Sequence, residues 1–213
     1  MASRISRGYH RRNMLDAVAR KLVDPPLNVA GRSLARAGVS ANTVTTVGFL
    51  LGLGAAAAIA VEAYGAGLFL FALNRLADGL DGAVARARRK TDIGGYLDIV
   101  LDFLVYAAVV VGFAAARPEN ALPAALLLAT FIGTGTTFLA FAIFAAKHGL
   151  ETQSRGAKSL YYLGGLTEGT ETIIFFVLFC LLPSWFPTLA YIFAAACVIT
   201  TTSRIAIAVR TFR

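Results

Sequence analysis

The chain predicts an all-α, polytopic membrane protein: six transmembrane helices preceded by an amphipathic helix at the interface. Three observations carry that expectation. Of 213 residues, 57% are hydrophobic and the mean hydropathy is +0.68, where a soluble domain is closer to ~45–50% apolar. Six apolar runs, at 44–61, 66–84, 96–116, 122–146, 161–182 and 186–209, come near the ~20 residues a helix needs to cross a bilayer. The basic residues, finally, gather between alternate runs. No soluble domain is left over, so 1–213 reads as one membrane domain, with an N-terminal segment at 1–40 and a six-helix bundle at 41–210.

Taken in order, the stretch 14–23 places apolar residues at Met14, Leu15, Val18, Leu22 and Val23 beside Arg20 and Lys21. That spacing suits a helix lying in the membrane interface, either as a collar around a cytosolic site or as a plain anchor. Pro25-Pro26 is expected to break it, and a second short segment through Leu34 leads to the first span. Of twenty Lys and Arg, eight precede that span, four lie in 86–90, three in 147–158 and three at Arg204, Arg210 and Arg213. Arg75 is embedded, and Arg117 alone lies in a loop on the other side. The positive-inside rule then puts both termini and the basic loops in the cytoplasm. The loops around 62–67, 117–120 and 183–187 go to the opposite face, where Trp185 and Tyr191 suit an aromatic belt.

Net charge +8 with a pI near 9.9 has a sufficient cause in cytoplasmic Lys and Arg facing an anionic leaflet, and no nucleic-acid partner is expected. Cys180 and Cys197 fall inside expected spans, which excludes a disulfide framework or zinc site of the usual spacing. Charged residues fill the first forty positions before any long apolar run, so no cleavable signal peptide is expected.

Asp78, Asp81, Asp98 and Asp102 interrupt segments that otherwise read as membrane helix. Each such carboxylate costs roughly 2.5–3.5 kcal/mol near a bilayer centre, and four cost on the order of 10 kcal/mol. A compensating cation is therefore implied. Asp78 and Asp81 are three apart and Asp98 and Asp102 four apart, so each pair shares one helix face. Both lie toward the cytoplasmic ends of successive antiparallel helices, where two acidic faces can converge. Oxygen-only ligands favour Mg²⁺ or Mn²⁺ over zinc. Gly79, Gly82, Gly94 and Gly95 among the acids leave room for a phosphate to approach, and Arg86 offers it a fork. Ion pairs with Arg75 and Arg86 would satisfy one or two of the acids, not four. A cation transporter is the alternative outside enzymes, although transporters often show repeated halves and midplane sites, and neither is visible here.

Asp78-Gly-Leu-Asp81-Gly82-Ala-Val-Ala85-Arg86, then seven residues, Gly94, three residues, Asp98, three residues and Asp102 resembles the signature of the CDP-alcohol phosphotransferases. The resemblance implies a membrane enzyme of phospholipid synthesis that moves a phosphatidyl group from CDP-diacylglycerol to a small alcohol and releases CMP. It implies metal ligation by Asp78, Asp81 and Asp98, with Asp102 as general base and ligand of a second Mg²⁺ or Mn²⁺ ion. Gly82 and Arg86 would contact the cytidine diphosphate, with Thr91 near the nucleotide. Asn42 and Thr45, in GVSANTVT, look like the family's Pro-Asn-x-x-Thr start of the first span, with Ala41 in place of proline. A homodimer in a bacterial-type inner membrane is implied too, and small residues such as Gly133-Thr-Gly135 permit close helix contact. The alternative within enzymes is transfer from CDP-choline or CDP-ethanolamine to diacylglycerol.

The second half is expected to choose the alcohol. Glu168 and Glu171 match in position the Glu-Arg-x-Glu-Arg segment of the inositol-phosphate-using branch, but Gly169 and Thr172 stand where that branch has arginines. A phosphorylated inositol would thus meet fewer partners. Gly156-Ala-Lys158-Ser only partly echoes the glycerol-phosphate branch. Lys147, Lys158 and Arg204 are the candidate acceptor contacts, and for Arg204 the competing expectation is snorkelling to the interface. Phe175 and Phe176 are expected to face lipid or other helices, and His148 has no expected role.

Overall fold

Capping residues and left-handed turns set the helix ends in a computed structural model that describes residues 14–149, 167 and 169–213, with the backbone alone at 14–23. Its helices are α1 (Met14–Arg36), α2 (Ala41–Ala60), α3 (Tyr64–Ala87), α4 (Asp92–Ala116), α5 (Ala121–Lys147), α6 (Gly169–Leu181) and α7 (Phe186–Thr211). Short 3-10 turns at Pro118–Asn120 and Pro183–Trp185 lead into α5 and α7. The expected break at Pro25-Pro26 does not occur, since α1 runs through both prolines. Their fixed φ is itself helical, so they forfeit two amide donors and crowd the preceding turn without ending the helix.

α1 instead ends at Gly38, whose φ of +88° is the left-handed turn glycine adopts at no steric cost. The Val39 amide donates to the Leu34 carbonyl at 3.0 Å and Gly38 to Ala35 at 3.2 Å, the paired bonds of a Schellman stop. At the start of α2, Ser40 supplies a cap. Its Oγ accepts from the Thr43 amide at 3.1 Å, capping a free helical donor.

Among the described residues, four segments are long and apolar enough to cross a bilayer: Ala41–Ala60, Asp92–Ala116, Pro118–Lys147 and Pro183–Thr211. α3 has comparable length at 24 residues but carries Arg75, Asp78, Asp81 and Arg86. α6 is shorter, at 13 residues; most of the first part of the expected fifth span, 161–166 and 168, lies outside the described residues.

The chain divides into two compact units, Met1–Ala55 with Ala66–Ala108, and Ala56–Gly65 with Val109–Arg213. In the first, α1, α2, α3 and α4 approach closely through small residues. A Cβ added at Gly31 would lie 2.6 Å from Ala83 Cβ, and one at Gly79 2.7 Å from Leu27 Cδ1. The second half of α1 is thus fitted against the acidic stretch of α3. Gly79, expected to leave room for a phosphate, is filled by Leu27 instead. Val44, Ala77 and Val84 form the buried core here, with Leu34, Val39 and Leu80 packed on it.

The second unit has an aromatic core. Phe113 stacks on Phe186 at 4.6 Å and meets Phe179 edge-on at 5.7 Å, and Phe175 stacks on Phe193 at 4.3 Å. Gly133 packs within the chain, since a Cβ there would sit 3.1 Å from Thr201 Oγ1. Glu62 closes α2 in the left-handed region at φ +60°, a conformation that strains a non-glycine residue. Its carboxylate is held by Arg117, whose Nε and Nη2 donate to Oε2 at 2.9 and 2.6 Å.

Gly112 backs directly onto α2: an added Cβ would meet the Ala56 carbonyl oxygen at 2.5 Å, whereas one at Gly65 would meet nothing. Gly112→Val is expected to destabilise the protein by about 1–3 kcal/mol, read as a lower melting temperature in detergent, with Gly65→Ala as the neutral control.

Candidate active site

Asp78 on α3 and Asp98 and Asp102 on α4 each offer a carboxylate oxygen within 4.8 Å of the others. The i, i+4 spacing puts both α4 acids on one face, and α3 presents Asp78 to it. Oxygens at ~2.0–2.1 Å from a small divalent ion lie no more than about 4.2 Å apart, so a small side-chain adjustment closes these three around one cation. The donor set is all carboxylate, which suits Mg²⁺ or Mn²⁺. The residues present fit such an ion.

Asp81 is not part of that triplet. Only 5% exposed, it accepts a hydrogen bond from Thr45 Oγ1 at 2.6 Å. It nonetheless lines the same cleft as Asp78 and Asp102, together with Thr45, Gly48, Asn74, Leu101 and Val105. Thr45 and Asp81 are 36 positions apart, and their pairing joins the start of α2 to the acidic stretch of α3.

Beneath the acids lies Arg75, one turn before Asp78 and with an 11% exposed side chain. Its Nη2 donates to Asp102 Oδ1 at 2.6 Å and its Nη1 to Asp102 Oδ2 at 3.2 Å. Nη1 also reaches Tyr106 Oη at 2.8 Å, and Nε donates to Asn74 Oδ1 at 2.8 Å. Asp78 Oδ2 is 3.9 Å away. The pairing of one acid with Arg75 was legible in the sequence; the engagement of both oxygens of Asp102, the proposed base, was not. Nor were Asn74 and Tyr106 singled out. Their signal was present, because Asn74 sits beside Arg75 in the chain and Tyr106 one turn beyond Asp102.

The other expected nucleotide contacts gather at the same end of this unit. Thr91 caps α4, its Oγ1 accepting from the Gly94 amide at 3.1 Å. A Cβ at Gly94 would lie 3.0 Å from Thr91 Oγ1 and 3.2 Å from Asn42 Oδ1, so the missing side chain lets Asn42, Thr91 and the α4 backbone crowd together. Gly82 lies beside Arg86, its notional Cβ 3.3 Å from Nη1. Arg86 donates from Nε and Nη2 to Asn28 Oδ1 at 3.2 and 2.9 Å, which ties α1 to the motif through a residue the sequence reading passed over. Arg88 Nη1 donates to the Gly38 and Val39 carbonyls at 3.2 and 3.3 Å, fastening the α3–α4 loop to the α1–α2 turn.

Of the acceptor candidates, Lys147 ends α5, and Lys158 and Glu168 lie outside the described residues. Glu171 is in the first turn of α6. Arg204 does not snorkel. It is 7% exposed, its Nη1 donates to the Thr134 carbonyl at 2.9 Å, and its guanidinium lies 5.7 Å from the Phe138 ring centroid. Thr200, one turn earlier, is fully buried and bonded to Thr167 at 3.0 Å. Hydrogen-bonding α7 residues thus line a buried polar strip in the second unit.

The chain is similar to known proteins in sequence and in fold. Residues 39–203 match the family described as CDP-alcohol phosphatidyltransferase. The inner membrane protein YnjF of Escherichia coli is 52% identical over 193 residues, covering 90% of this chain and 94% of that protein. The archaetidylinositol phosphate synthase of Pyrococcus horikoshii is 35% identical over 96 residues, 45% of this chain and 51% of that one. Among solved structures, the phosphatidylinositol phosphate synthase of Mycobacterium tuberculosis with CDP-DAG bound superimposes with a TM-score of 0.69 at 24% identity, covering 85% of this chain and 92% of that one. Its complex with manganese and citrate gives 0.66 over 85% and 88%; at that identity the likeness is one of fold.

Removing the Thr45 hydroxyl would leave one oxygen of a buried carboxylate short of a donor. Thr45→Val is expected to cost about 1–3 kcal/mol of stability, seen as a lower melting temperature, and Thr45→Ser to restore it.

Proposed function

The chain belongs to the CDP-alcohol phosphatidyltransferase family, and on that premise we propose that it transfers the phosphatidyl group of CDP-diacylglycerol to the hydroxyl of a small polar alcohol, releasing CMP. The observation that carries this reading is the convergence of Asp78, Asp98 and Asp102 within 4.8 Å, with Asp81 on the same cleft. Asp78, Asp98 and Asp102, with Asp81 on the same cleft, would together hold two Mg²⁺ or Mn²⁺ ions. Bound there, the ions would supply charge neutralisation and orientation for a pyrophosphate.

The chain's own residues would do the rest. Arg86, Gly82, Asn42, Thr45 and Thr91 would seat the cytidine diphosphate at the mouth of the cleft, leaving the acyl chains in lipid. Asp102 would accept the proton of the acceptor hydroxyl, which is a poor nucleophile until a base takes it. The freed oxygen bonds to the phosphorus bearing diacylglycerol, and the bond from that phosphorus to the CMP oxygen breaks. By the distribution of its basic residues, the site and both termini would face the cytoplasm, with α3 and α6 completing six spans. The protein would act as a homodimer. Lys147, Lys158 and Arg204 would supply the cationic contacts for an acceptor.

A panel of water-soluble alcohols offered with labelled CDP-diacylglycerol tests the reading through the lipid product. CMP release is expected to require the alcohol, to stop with EDTA and to return with Mg²⁺ or Mn²⁺. Release that depends on diacylglycerol and a CDP-linked headgroup instead would overturn it. Because Gly169 and Thr172 replace arginines, inositol phosphate is not expected to be the best acceptor. Asp102→Asn is expected to bind CDP-diacylglycerol with turnover down about 10²–10⁴-fold, and wild-type turnover in that variant would remove Asp102 as the base.

A further inference from the structure

The structure assigns Arg75 a part in the chemistry, as a positioning residue that fixes the plane of the Asp102 carboxylate while opposing the charge of the bound cation. This rests on the functional reading above. The guanidinium makes a fork onto both Asp102 oxygens, at 2.6 and 3.2 Å. Its other edges are also held. Nε is bonded to Asn74, whose own Nδ2 donates to the Gly48 carbonyl at 2.8 Å. Nη1 is shared with Tyr106 Oη, and the cation lies 4.9 Å from the Tyr106 ring centroid and 5.6 Å from that of Phe71. Asn74 is 3% exposed and Phe71 2%. A chain of contacts thus runs from the α2 backbone at Gly48, through Asn74 and Arg75, to the carboxylate.

A planar fork imposes an orientation where a lysine ammonium imposes only a charge. With one lone pair of each oxygen taken by Arg75, the remaining lone pairs of Asp102 point away from the guanidinium, toward the cleft it lines with Asp78 and Asp81. The same placement has an opposing effect. Arg75 competes with a divalent ion for Asp102 and lies 3.9 Å from Asp78, so it must weaken metal binding as it sharpens the geometry of the base. A residue that only held the fold together would do the first in reverse, since losing it would loosen the metal site.

The test combines Mn²⁺ titration by EPR with steady-state kinetics on purified, folded Arg75→Met and Arg75→Lys variants. Arg75→Met is expected to bind Mn²⁺ several-fold more tightly than wild type while kcat falls about 10–100-fold and the KM for CDP-diacylglycerol stays within about threefold. Arg75→Lys keeps the charge and loses the fork, so its Mn²⁺ affinity is expected to match wild type while kcat still falls. It also serves alone if the methionine variant does not fold. Wild-type kcat in Arg75→Lys, or weaker Mn²⁺ binding in Arg75→Met, overturns the assignment. A wild-type protein that releases no CMP with any alcohol overturns the functional reading instead, and the two failures are told apart by the wild-type control.

Discussion

Carboxylates placed in apolar helices must be compensated, and most of the first unit's structure follows from how that is arranged. Left bare, Asp78, Asp81, Asp98 and Asp102 would cost on the order of 10 kcal/mol. The chain answers part of that cost itself: Thr45 donates to Asp81, and Arg75 forks onto Asp102 and lies 3.9 Å from Asp78. Asp78, Asp98 and Asp102 remain close enough together to repel one another unless a cation lies among them. An arrangement that tolerates this repulsion is costly as scaffolding and sensible as a metal site.

The surrounding helices are built to hold those acids still. Gly31 and Gly79 bring α1 against α3, Gly48 and Gly52 bring α2 against Ala77 and Val105, and Asn74 ties α3 to α2 at the Gly48 carbonyl. Small residues allow such approach between membrane helices, where no hydrophobic force drives helices together. Several glycines of the acidic stretch and its partners thus serve packing before substrate access, and of those flanking the acids Gly95 has nothing nearby. The α1 helix, through Leu27, Asn28 and Gly31, is as much a wall of this unit as the helices that carry the acids.

What the sequence made legible divides along physical lines. The helices and the acidic pairing were readable because hydropathy, i, i+3 and i, i+4 spacing and charge cost are local properties. The stop at Gly38 and the caps at Ser40 and Thr91 carry residue-type signals that were not read from the sequence, where Thr91 was expected only near a nucleotide. Long-range partners were not readable: nothing local says that Thr45 meets Asp81, that Asn28 meets Arg86, or that Leu27 fills the space beside Gly79. The Pro25-Pro26 break failed because proline's φ suits a helix even where its missing donor does not. Arg204 was read as snorkelling because length and position near a helix end favour it; the Thr134 carbonyl and the Phe138 face, from another helix, gave it a buried alternative.

The charge balance of the acidic cluster with its buried partner accounts for the choice of arginine at position 75. Four carboxylates against one guanidinium leave three negative charges. Two divalent ions would turn that to a single positive charge, the sign that attracts a pyrophosphate. Without Arg75 the loaded site would be neutral and the empty one more strongly repulsive. With a second fixed cation the acids would pair internally and bind metal poorly. One buried arginine, set on Asp102 at the apolar side of the cluster, steadies the empty site and leaves the loaded one attractive to its substrate. The same position makes it a rigid fork on Asp102, the proposed base, so charge balance and geometry converge on a single residue.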